Sequence, residues 1–103
     1  MTIDSNSGSV IALDEAKKFV SDFRTKYPDM PKGFFAGADK LALLLKQSSC
    51  IGIRIYNGYD ESKLMTNLVL VGVDKDEKDM TDGVILERLV PCPGACDQSS
   101  ALY

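Results

Sequence analysis

The chain has 103 residues, 45% of them hydrophobic and 26% charged, with a formal net charge of −3. That length suits one domain with an adequate core, and the composition excludes wholesale disorder. Net acidity argues against a nucleic-acid partner, which needs clustered Lys and Arg. Histidine is absent, which removes Ser-His-Asp and Cys-His nucleophilic sites, His-ligated metals and imidazole as a general base. No enzymatic activity is expected.

Residues 1–9 are polar and rich in Ser, Gly and Asn, and read as a flexible tail. They carry neither a basic n-region nor an apolar h-region, so no signal peptide is expected. No apolar run approaches the roughly 20 residues of a membrane span. Three cysteines, an odd number, without an export signal point to a reducing, cytoplasmic setting and no membrane association.

The spacing of Leu13, Ala16, Phe19, Val20, Phe23 and Tyr27 predicts a helix over 13–26. Asp14 and Glu15 in its first turn and Arg24 and Lys26 in its last suit the helix dipole, and Pro28 stops it. Its aromatic stripe reads as a core face rather than a partner groove. After the rigid 28–33 connection, Phe34–Ala36 is a predicted short strand and Ala38–Gln47 a second helix, with Leu41, Leu44 and Leu45 buried. Gly33-Phe34-Phe35-Ala36-Gly37 lacks the glycine spacing and Lys-Ser/Thr of a phosphate-binding loop.

Two β-branched runs, Cys50–Tyr56 and Asn67–Asp74, predict a hairpin. Ile51, Ile53 and Ile55 share one face of the first strand; Gly52, Arg54 and Tyr56 share the other. The second strand is apolar on both faces and reads as central. Asn57-Gly58 at the start of the connection supplies positive φ. If the helices cover the isoleucine face, Arg54, Tyr56, Leu68 and Leu70 crowd the opposite one. An aromatic, apolar patch with an Arg has the composition of an interface hot spot, and these four are the candidate surface for self-association or a protein partner.

Asp74, Asp76 and Asp79 invite a calcium reading. The fifth, sixth and twelfth positions of such a loop hold Lys78, Asp79 and Ile85 instead of an acid, Gly and Glu, so a solvated turn is expected. Val84–Val90 is a predicted strand between Gly83 and Pro91, paired with 67–74.

Pro91-Cys92-Pro93-Gly94-Ala95-Cys96 is the one stretch with residue chemistry. Three intervening residues and Pro93-Gly94 do not make a thioredoxin-like site. Zinc needs further ligands, and with Cys50 the thiols number three, leaving Asp97, water or a second chain for the fourth. A Cys92–Cys96 disulfide is sterically possible, as are thiols packed as small hydrophobes. Cys50 reads as a core thiol.

The residues Gly52-Ile53-Arg54-Ile55-Tyr56, then Leu68–Asp74, then Pro91-Cys92-Pro93 with Cys96 behind, resemble a set of small uncharacterised proteins from Bacteroidota over about residues 11–96. The resemblance implies a bacterial, cytoplasmic, single-domain protein and carries no activity.

The expected fold is α+β: two N-terminal helices packed on a mainly antiparallel sheet of three to four strands. Residues 10–96 form the domain and 97–103 a C-terminal tail. The expected role is a non-enzymatic binding or interaction module with no cofactor. The alternative is a thiol-based metal-binding or redox protein using Cys92, Cys96 and Cys50, with zinc as the metal.

Overall fold

A computed structural model describes residues 2–103. Its elements run α1 (Leu13–Lys26), β1 (Gly33–Phe35), α2 (Ala38–Leu45), β2 (Cys50–Asp60), β3 (Met65–Asp74), β4 (Ile85–Leu86) and β5 (Val90–Cys92). Two helices with antiparallel sheets make the chain α+β. The strands form a three-stranded sheet in the order β2-β3-β4 and a separate β1-β5 ribbon. The chain divides into two compact units, one holding residues 2–7 and Ala36–Leu89, the other Gly8–Phe35 and Val90–Tyr103.

The first unit is built on the β2–β3 hairpin, which is longer than the sequence suggests. Asn57 and Gly58 do not turn. They pair with Leu68 and Asn67, and the ladder runs on to Asp60 opposite Met65. The reversal falls at Asp60 because its Oδ1 accepts hydrogen bonds from Ser62 N (2.9 Å), Ser62 Oγ (2.6 Å) and Lys63 N (3.3 Å). That Asx-type closure is completed by Leu64 in the left-handed region, φ 52°.

β3 is the central strand, as its two apolar faces predict. Leu70, Val71 and Val73 are each 3% exposed, and Leu44 of α2 is fully buried. α2 lies against β2 and β3. Its end is tied down by Gln47, whose Nε2 donates to Leu44 O (3.0 Å) while its Oε1 accepts from Val84 N (2.9 Å). Gly72 and Gly83 make room for that side chain, since a Cβ would fall 2.6 Å and 2.1 Å from its amide atoms.

The expected 84–90 strand is two short strands in different sheets. Leu86 and Ile85 pair with Leu70 and Val71 of β3. Arg88 then takes a left-handed conformation, φ 61°, which no strand continues through. Beyond it Val90, Pro91 and Cys92 pair with Phe35, Phe34 and Gly33.

In the second unit α1 carries its acidic first turn and basic last turn, but none of its residues is buried. Leu13 and Phe19 are more than half exposed, although their spacing predicts a core face. Its own unit offers only a two-stranded ribbon and C-terminal turns, too small a layer to bury a 14-residue stripe. Residues 97–103 form turns: Asp97 Oδ1 accepts from Ser99 N (3.1 Å) and Oγ (2.6 Å), and Tyr103 N donates to Ser100 O (3.1 Å). Lys32 Nζ stands 3.7 Å from the centre of the Tyr103 ring. No helix among the described residues is long and apolar enough to cross a membrane.

Candidate interaction edge and the cysteine loop

The four residues expected to share a face do not. In an antiparallel pair, directly opposed residues point the same way. Arg54 stands opposite Val71 and Tyr56 opposite Val69, whereas Leu70 faces Ile55 and Leu68 faces Asn57. Arg54 and Tyr56 therefore lie on one side of the sheet, Leu68 and Leu70 on the other. Register decides this, because a one-residue offset exchanges the two faces of a strand. Leu70 is buried and Leu68 half-buried, so neither offers a surface.

Arg54 and Tyr56 meet a partner from the acidic loop instead. Asp79 bridges to Val73 on the far edge of β3, and its carboxylate reaches back over the strand. Arg54 Nη1 donates to its Oδ1 at 2.5 Å, and the Tyr56 hydroxyl donates to Oδ2. The hydrogen bond from Tyr56, then the Arg54 guanidinium, hold the Asp79 carboxyl below its ordinary value. Asp79 in turn raises the Tyr56 phenol, because a phenolate would lose its donor hydrogen and face a carboxylate. Sequence reasoning weighed Asp79 only as one acid of a calcium-like run and expected a solvated turn; no local signal ties it to β2.

Beside this cluster, Ile3, Asp4, Ile53, Arg54, Ile55 and Val73 are among the residues that line a cavity of about 390 Å³. The main-chain N–H of Ile3 donates to Glu77 Oε1 at 3.1 Å.

The other edge of β2 is open. Met80 N donates to Gly72 O (2.8 Å) and Asp74 N to Lys78 O (2.9 Å), so Gly72 and Asp74 direct their main-chain groups away from β2. Alternation along the ladder makes Arg54, Tyr56 and Gly58 the residues bonded to β3, and turns the main-chain groups of Ile55, Asn57 and Tyr59 outward. Among the described residues no main-chain partner from outside the hairpin reaches those three. Ile55 is 58% exposed and Tyr59 57%. The edge from Arg54 to Tyr59 holds no Lys, Pro or bulge, the usual protections against strand addition.

In the second unit Cys92 and Cys96 form a disulfide across the Pro93-Gly94 turn, with Cα atoms 5.1 Å apart. Gly94 has φ +136°, and a Cβ there would fall 2.8 Å from Pro91 O; Ala95 N donates to that same carbonyl at 3.0 Å. The disulfide, Lys32, Phe34, Asp97 and Tyr103 line a cleft of about 240 Å³. Cys50 is a free thiol in the first unit, half-buried, and donates to Gly52 O at 3.2 Å. Among the described residues no group of three or more Cys, Asp or Glu side chains stands close enough together to hold a metal ion.

Comparison with protein-family models, with curated proteins and with solved structures finds no match for this chain.

Proposed function

We propose that the protein is a non-enzymatic interaction module that works by strand addition at the open edge of β2. The observation that carries this reading is the unpaired main chain of Ile55, Asn57 and Tyr59, flanked by exposed side chains. Main-chain hydrogen bonding supplies affinity in such contacts and alternate side chains supply selectivity. Arg54 and Tyr56 shape the rim of the edge, and Leu68 and Leu70 support it from within. Amide exchange of dilute protein tests it. Fast exchange at Ile55, Asn57 and Tyr59 beside slow exchange at Arg54, Tyr56 and Gly58 is expected. Protection of all six would mean the edge is already covered, and the reading falls.

A second reading rests on the Cys92–Cys96 pair, which the fold closes into a disulfide lining a cleft. A thiol-switch role predicts that reduction reversibly alters binding through that cleft. If reduced and oxidised protein bind alike, the pair is a staple only.

A further inference from the structure

The segment Arg54-Ile55-Tyr56-Asn57-Gly58-Tyr59-Asp60 is complementary to itself when run antiparallel. We propose that the occupant of the β2 edge is a second copy of this chain, paired β2 to β2 about a two-fold axis at Asn57. This rests on the interaction-edge reading above and names its partner.

The outward-facing residues fix which registers are possible. An antiparallel pair across the axis must set one outward main chain against another. An axis at Asn57 does so for Asn57 with its own copy and for Ile55 with Tyr59, giving about six main-chain hydrogen bonds. The two sheets then form one continuous sheet of six strands, β4-β3-β2 followed by its copy.

Side chains match in the same register. Ile55 meets Tyr59 of the second copy, a β-branched residue against an aromatic, both exposed in the single chain. Tyr56 lies opposite Gly58 of the second copy, where no side chain competes for the space. Arg54 lies opposite Asp60 of the second copy, so the only two charges on the segment meet with opposite sign at both ends of the contact. Each still has capacity. Among the described residues Arg54 uses only Nη1 within its own chain, and Asp60 uses only Oδ1. Moving the axis to Ile55 keeps the main-chain pairing but sets Asp60 against Cys50 and loses both charge pairs. Charge complementarity therefore selects Asn57.

The register is tested by cross-linking in a Cys50→Ser background. Asn57→Cys should form an intermolecular disulfide under mild oxidation, because the two copies of that position face each other. Ile55→Cys should not, since the two copies lie four residues out of step. Sedimentation of the unaltered chain across a dilution series should show a monomer–dimer equilibrium. Asp60→Asn, which keeps the Asx turn but drops the charge, should weaken it about threefold to tenfold. The unaltered chain remaining monomeric at millimolar concentration overturns the proposal, as does Ile55→Cys cross-linking in preference to Asn57→Cys. Fast edge exchange with no self-association removes the second copy while leaving the interaction edge in place.

Discussion

Asp79 and Arg54 are joined across the central strand, Oδ1 to Nη1 at 2.5 Å, although 25 residues separate them in the chain. The contact belts the acidic loop to β2 over Val71 and Val73, on the face opposite Leu70. It explains why two residues with interface chemistry, Arg54 and Tyr56, are engaged inside their own chain.

This cluster gives the protein a pH signature at both ends of the scale. Asp79 sits below its ordinary 3.8, so its contribution is present above that value and is lost as pH falls through the folded-state value. Tyr56 sits above its ordinary 10.0, so its contribution is complete below 10.0 and is lost as pH rises through its folded-state value. Denaturant melts across pH should show both losses. Tyr56→Phe should remove the alkaline one and move the Asp79 carboxyl, followed by carbon NMR, up toward its ordinary value.

Gln47→Leu should cost about 1–3 kcal/mol, because Val84 N loses its partner in a half-buried setting and Leu44 O keeps only the main-chain N–H of residue 47. Urea unfolding measures the loss, and accelerated exchange at the Val84 amide would localise it. An unchanged Val84 amide would show that the Gln47 contact does not hold the entry to β4.

Leu70 and Ile55 oppose each other on one face yet should respond oppositely to charge. Leu70→Asp places an unpaired carboxylate in the core and should unfold the first unit, costing more than about 3 kcal/mol. Ile55→Lys should leave stability within about 0.5 kcal/mol and abolish edge contacts. Circular dichroism melts separate the two. A melt of Ile55→Lys well below that of the unaltered chain would place Ile55 in the core.

Cys92→Ser opens a loop closed between residues four apart. So short a loop limits the entropic loss to about 2 kcal/mol. Alkylation of unfolded, unreduced protein should label Cys50 alone. Three labels would show that the pair is not bonded in solution.

Much of the fold is legible in local pattern. Helical spacing from Leu13 to Tyr27 places α1 to the residue, and the apolar run Leu68–Val73 identifies the central strand. The turn at Asp60 was readable in principle, since Asp-Glu-Ser-Lys has Asx-turn chemistry, but Asn57-Gly58 carries the stronger conventional signal. Nothing local signals the contacts that Gln47 and Asp79 make; their roles exist only because distant segments come together.

Residue type and short-range period alone yield the α+β class, the antiparallel hairpin and the exclusion of histidine chemistry. Tertiary structure alone decided the faces. Alternation says which residues of one strand share a side, but pairing between strands depends on where the chain reverses, and moving that point by one residue exchanges inside for outside. That is why Leu70 lies in the core, why Arg54 meets Asp79, and why the surface left open is the edge of β2 rather than its face.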